Sequence, residues 1–167
     1  MHIFIMRHGE AANIDVEDSR RPLTKKGIIE AEKMGCWLIG QKLSHIKVFV
    51  SPYLRAQQSC QSVVAAIQTI PESYDITPET LSFITPSGSS QQTHDFIDGL
   101  SQKANSKKEL SADEDNILLV SHMPFVSYLV GELTNSTQMP IFATGSIAVI
   151  DYDVEKMQGK LIEMVSP

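Results

Sequence analysis

The chain has 167 residues, 42% of them hydrophobic, with 14 basic against 20 acidic side chains and a net charge of −6. One typical domain takes about 150 residues, so this length predicts a single domain spanning 1–167 whose core needs no disulfide or metal staple. The composition excludes a disordered or fibrous chain, the acidic balance argues against nucleic-acid binding, and no apolar run approaches the ~20 residues that span a bilayer.

The first element is the apolar run Ile3-Phe4-Ile5-Met6, which starts at once, with no basic leader before it. Its lack of alternation predicts a strand covered on both faces, as in a parallel sheet. Thr24 reads as the N-cap of a helix that carries Ile28, Ala31, Gly35 and Leu38 on one stripe and ends near Gly40. Val48-Phe49-Val50 repeats the buried-strand pattern. Ser51-Pro52 then reads as cap and first-turn proline of a second helix with the stripe Ala56, Cys60, Val63 and Ile67, stopped by Pro71. The polar stretch Thr85 to Thr93 predicts a surface loop, and a third helix runs from about Gln92 to Lys103 with Phe96, Ile97 and Leu100 inward. A second loop, Ser106 to Asn116, holds the acidic run Asp113-Glu114-Asp115. Ile117-Leu118-Leu119-Val120 is the third buried strand, and Pro124 opens a fourth helix through Val126, Leu129, Val130 and Leu133. Ser146–Tyr152 and Lys160–Val165 predict two short strands joined by a turn near Gly159. Alternating strands and helices predict an α/β fold: a three-layer sandwich with a mostly parallel central sheet, helices on both faces, short C-terminal strands and no helical lid domain. Cys36 and Cys60 fall in separate helices, which suits reduced thiols in a cytoplasmic protein.

Each buried strand is followed by chemically conspicuous residues. Arg7-His8-Gly9-Glu10 follows the first, Ser51-Pro52 with Arg55 the second, and Ser121-His122 the third. Ligands of open α/β sheets sit beyond the carboxyl ends of the strands, so parallel topology converges Arg7, His8, Arg55 and His122 at one sheet edge. Gly9 is a candidate substrate-binding residue beside Arg7 and Arg55, although it reads also as a turn residue that frees the chain to bend. The arginine fork matches phosphate oxygens two at a time, and helix N-termini lie alongside, so the expected ligand is a phosphoryl group. The adjacent arginines would repel a dication, so neither a metal nor a cofactor is expected. Arg21 is a candidate for the pocket rim, although Asp18-x-x-Arg21 reads equally as a local ion pair. Glu10 and Asp18 are candidate proton donors. His2, His45 and His94 follow no such pattern.

Four motifs occur in order: Arg7-His8-Gly9, Leu23-Thr24-x-x-Gly27, Ser51-Pro52-x-x-Arg55-Ala56 and Ser121-His122. Together they resemble the signature of the histidine phosphatase superfamily. Asp18-Ser19-Arg20-Arg21-Pro22-Leu23-Thr24, Trp37-Leu38-x-Gly40-Gln41-Lys42 and His122-x-Pro124 are similar to its bacterial phosphohistidine phosphatase branch, the SixA type. The resemblance runs from residue 1 to about 150. It implies a nucleophilic His8 that forms a phosphohistidine intermediate, with its ring oriented by a hydrogen bond to backbone near Gly9. It also implies phosphoryl oxygens held by Arg7, Arg55 and His122, and no metal. The implied partner is a histidine-containing phosphotransfer domain or another phosphohistidine protein, met in the cytoplasm, with no membrane or nucleic acid involved and a monomer as the default. The acid that larger superfamily members carry on a mid-chain insertion has no clear equivalent here, since Phe83 stands just before the Thr85-Pro86-x-Gly88 loop. That departure favours a phosphoramidate substrate over an ester. Two other readings stay open: a broad small-molecule phosphatase or phosphoglycerate mutase-like phosphotransferase, and a phosphoprotein-binding module without turnover.

Overall fold

The computed structural model describes residues 1–41, 43, 45–69, 76–106, 116–137 and 139–167. The expected helix stop at Pro71, Lys42 of the Trp37–Lys42 motif and the acidic run 113–115 lie outside the described residues. The strands are β1 His2–Arg7, β2 Ile46–Val50, β3 Glu79–Thr80, β4 Asn116–Ser121, β5 Ile147–Asp153 and β6 Gln158–Val165. The helices are α1 Lys25–Gly40, α2 Leu54–Ile67, α3 Ser90–Ser106 and α4 Phe125–Thr134, with a 3-10 turn at Asp18–Arg20. The sheet runs β3-β2-β4-β1-β5-β6. Its first four strands are parallel, and β5 and β6 close it as an antiparallel hairpin.

The unbroken apolar runs are explained by helices on both faces. Ile3, Ile5, Phe49, Ile117 and Leu119 point to one side, where they pack with Ile97 of α3 and Phe125, Leu129 and Leu133 of α4. Phe4, Met6, Val48, Val50, Leu118 and Val120 point to the other, against Ala31, Met34 and Leu38 of α1 and Ala56, Cys60 and Val63 of α2. Each fully buried aliphatic side chain of this kind stabilises the fold by about 1.5–3 kcal/mol, which makes the centre of the sheet a rigid support for whatever stands at its edge. Among the described residues the four helices are all used in covering these faces, and none forms a lid. Cys36 is an exposed free thiol and Cys60 a buried one.

Four local expectations are corrected. Thr24 does cap α1, its Oγ1 accepting from Gly27 N at 3.1 Å, and Ala31, Gly35 and Leu38 are buried as expected, but the stripe also takes in Gly27, Glu30 and Met34, and Ile28 is 39% exposed. Gly27 has to face inward because it touches the backbone of Glu10, and that rotation turns Ile28 to solvent. The cap position of α2 is Tyr53, not Ser51, and Pro52 precedes the helix; the Ser51 hydroxyl is engaged by His122 instead. Helix α3 begins at Ser90, capped by Ser89 Oγ accepting from Gln92 N at 3.2 Å, so the loop is shorter than Thr85–Thr93 and Thr93 is buried. The β5–β6 turn occupies 154–157, where Asp153 Oδ1 accepts from the backbone of Glu155 and Lys156, each at 3.1 Å. Gly159 lies inside β6, and a Cβ there would sit 2.4 Å from Ile150 Cγ2, so this glycine serves close packing and not the turn.

Candidate active site

The register of β1 against β4 sets Arg7 across from Ser121 and so brings the residues just beyond them together. His8 N donates to Ser121 O at 2.9 Å, and the His8 and His122 rings lie with centroids 5.0 Å apart. The Gly9 turn is wedged against the first turn of α1: a Cβ on Gly9 would fall 2.2 Å from Gly27 O, and one on Gly27 2.2 Å from Glu10 O. From the α2 side, Ser59 Oγ accepts from Gly9 N at 3.0 Å and donates to Arg55 O at 2.8 Å. The loop is therefore held by contacts with two helices.

Two partners assign the tautomer of His8. Arg55 Nε donates to His8 Nε2 at 3.1 Å, and a guanidinium can only donate, so Nε2 carries the lone pair. The other nitrogen, Nδ1, is 2.7 Å from Gly9 O, which can only accept, so the proton resides on Nδ1. Burial, helped by the charges of Arg55, Arg7 and Arg21, outweighs the Gly9 hydrogen bond and lowers the His8 pKa to about 4. His122 is 1% exposed and shares a 2.7 Å hydrogen bond between Nε2 and Ser51 Oγ. Burial, with smaller contributions from His8, Arg55 and Arg7 against an opposing one from Asp18, lowers its pKa to about 3. Both rings are neutral at pH 7.

Arg55 is 5% exposed and spends every nitrogen locally: Nε on His8, Nη1 on Asp18 O at 2.5 Å and Nη2 on Asp18 Oδ2 at 2.9 Å. Arg7 Nη1 donates to Phe142 O at 2.7 Å. Burial lowers the Arg7 pKa, with Glu30 opposing and Arg55 reinforcing. Arg21 donates from Nε to Ala12 O at 2.9 Å and from Nη1 to Asp18 Oδ1 at 3.2 Å. The Asp18 carboxyl feels some burial, but the hydrogen bonds and charges of Arg55 and Arg21 outweigh it and hold its pKa below the ordinary value. Among the described residues, Arg7 Nε and His122 Nδ1 are buried side-chain atoms with no hydrogen-bond partner. Such atoms cost about 1–3 kcal/mol each, and both occur in this one cluster.

Of the residues expected from sequence, Arg7, His8, Gly9, Arg55 and His122 therefore meet at one edge, with Asp18 and Arg21 joined to them through Arg55. Glu10 is held elsewhere. Its carboxylate accepts from Thr24 Oγ1 and Lys26 Nζ, both at 2.9 Å, in the first turn of α1, and the Lys26 and Thr24 hydrogen bonds lower its pKa. Sequence reasoning missed Ser51, Ser59 and Glu30. Glu30 left one signal, an acidic side chain three residues after Gly27 on the buried face of α1. No group of His, Cys, Asp and Glu among the described residues is arranged to hold a metal ion, and the arginines make the cluster suited to an oxyanion.

Residues 3–80 match the family model described as Histidine phosphatase superfamily (branch 1). Over 167 residues the chain is 36% identical to the phosphohistidine phosphatase SixA of Escherichia coli (strain K12), covering all of this chain and 94% of that protein. It is 32% identical to the phosphohistidine phosphatase SixA homolog of Haemophilus influenzae, covering all of this chain and 97% of that one. The solved structure of the protein histidine phosphatase SixA complexed with tungstate superposes with a TM-score of 0.83 at 36% identity, over 99% of this chain and 97% of that chain.

Proposed function

The chain belongs to the histidine phosphatase superfamily, and from that premise we propose that it removes phosphate from phosphohistidine on signalling proteins. The observation that carries the reading is the pairing of a neutral His8, its Nε2 lone pair directed at Arg55, with a neutral His122 and Arg7 around one buried point. As the phosphoryl group enters, Arg55 Nε turns from His8 Nε2 to a phosphoryl oxygen and frees the lone pair. Nε2 then attacks phosphorus in line, the Nε2–P bond forms as the substrate P–N bond breaks, and the leaving ring, already protonated on its other nitrogen, departs as neutral imidazole. Water then attacks the phosphoenzyme, an O–P bond replaces the Nε2–P bond, and orthophosphate leaves. Arg55 exchanges Asp18 for the phosphoryl oxygens, Arg7 Nε takes another, and Ser51 donates to His122 Nε2 so that the ring offers Nδ1–H as a third donor. Loss of one such preorganised donor costs about 2.7–4 kcal/mol, or 10²–10³ in rate.

Asp18 and Glu10 are both held ionised near neutral pH, so neither delivers a proton readily to a poor leaving group. This supports a phosphoramidate over an ester. Tungstate is a tetrahedral oxyanion, and its presence in the SixA structure supports an oxyanion pocket in a protein of this shape. The whole span 1–167 works as one domain, a monomer in the cytoplasm, without metal, and its partner is a histidine-containing phosphotransfer domain.

The test follows phosphate loss from such a domain carrying phosphohistidine, in excess EDTA, beside a phosphoserine protein and with His8→Ala as the blank. Loss from phosphohistidine alone, together with an acid-labile phosphoenzyme absent from the blank, supports the reading. Loss from neither substrate overturns it, and arrest by EDTA overturns its metal independence.

A further inference from the structure

Glu30 is a carboxylate that the mechanism above does not use, and it is 8% exposed. It stands on the inner face of α1, where its Oε1 accepts from Thr144 Oγ1 at 3.0 Å and lies 3.5 Å from Lys26 Nζ. Its Oε2 accepts from Glu10 N at 2.8 Å. Glu10 N and Gly9 O belong to the same peptide unit, and Gly9 O is the group that accepts Nδ1–H of His8. One planar amide therefore joins a buried carboxylate to the candidate nucleophile. A charge-assisted hydrogen bond on the N–H side of an amide polarises it and makes its carbonyl oxygen a stronger acceptor. A carboxylate that held the imidazole directly would fix the tautomer and favour charge growing on the ring as a bond forms at Nε2. Here the same influence passes through a peptide.

We propose that Glu30 is a positioning residue for His8, acting through the Gly9–Glu10 peptide to hold the proton on Nδ1 and the lone pair on Nε2. The inference rests on His8 being the nucleophile. Its structural part, the tautomer, is readable without any substrate. Glu30 touches no reacting atom, so its effect belongs in the rate of the chemical step and not in substrate affinity, which Arg7 and Arg55 govern.

The experiment records the ring nitrogen and Nδ1–H resonances of His8 by NMR in the ligand-free protein, alongside kcat and KM for a phosphohistidine protein. Glu30→Met keeps the length of the side chain and removes the acceptor; Glu30→Gln restores a neutral acceptor; Thr144→Val removes a hydrogen bond from the other carboxylate oxygen. In Glu30→Met the protonated-Nδ1 signature gives way to a mixture of tautomers, and kcat falls about ten-fold or more with KM within two-fold, comparable to the loss when a partner that orients a metal-bound histidine is removed. Glu30→Gln recovers the signature with the Nδ1–H resonance moved upfield, and recovers part of kcat. Thr144→Val keeps both. A wild-type signature and kcat in Glu30→Met overturn the proposal, and so does a rise in KM with the signature unchanged, because that would place the effect of Glu30 on Arg7. Should Glu30→Met not fold, an unmoved Nδ1–H resonance in Glu30→Gln overturns it alone. A wild-type protein that shows the signature but leaves phosphohistidine intact refutes the phosphatase reading and leaves the positioning of His8 by Glu30 to be decided by the resonances.

Discussion

Lowering the pH from 7 to 5 should cost this protein about 4 kcal/mol of folding stability through His8 and His122 alone. In the unfolded chain both titrate near 6.5; in the fold burial lowers His8 to about 4 and His122 to about 3. Between those limits the unfolded state binds protons that the folded state refuses, so stability drops as the pH falls below 6.5 and levels off only beneath the folded values. At pH 5 each ring has used about 1.5 units of that window, or about 2 kcal/mol at roughly 1.36 kcal/mol per unit. Against a total of about 5–15 kcal/mol for a typical domain, the pair would remove a large share. Urea midpoints at pH 7, 6 and 5, with the slope of the transition checked for constancy, measure this directly. His8→Gln and His122→Gln should each lose about 2 kcal/mol less than wild type over the interval. Variants that track wild type in parallel would refute the claim that these rings are kept neutral by burial.

Two further predictions concern the loop around His8. Asp18→Asn removes a carboxylate that competes with phosphate for Arg55, and since a half-exposed ion pair is worth up to about 1 kcal/mol, orthophosphate should bind about five-fold tighter by calorimetry; weaker binding would show that Asp18 aids the anion. Gly27→Ala drives a methyl group onto Glu10 O and should destabilise the fold by about 3 kcal/mol or more in urea, with loss of turnover beyond what unfolding explains, because the contact sets the path of the His8 loop.

The convergence of Arg7, His8, Arg55 and His122 was legible because one rule sufficed: unbroken apolar runs imply parallel strands, and parallel strands deliver the residues at their carboxyl ends to a common edge. Thr24 was legible for the same kind of reason, since a cap acts over three residues of sequence. The misses were set by distance along the chain. Ser51 before Pro52 has the form of a helix cap, and only the fold shows that its hydroxyl answers to His122, 71 residues away. Asp18 was visible as a partner of Arg21 and does form that pair, but its stronger hold on Arg55 spans 37 residues and an irregular turn. The β5–β6 turn was misplaced because glycine marks both tight turns and tight packing, and the choice at Gly159 is made by Ile150 across the hairpin.

The position of β1 has a consequence for the order in which the molecule comes into being. Its neighbours are β4 and β5, so Ile3 waits for Ile117 and His2 for Asp151. Arg7 waits for the carbonyls of Phe142 and Ser146, and His8 O for Gly145 N. The Arg7–Phe142 hydrogen bond alone spans 135 residues, so the surroundings of His8 come together only when segments far apart in sequence meet. Pairing across such separations closes late in folding. Until those segments meet, His8 is an ordinary histidine, and its lowered pKa comes only with the assembled sheet edge.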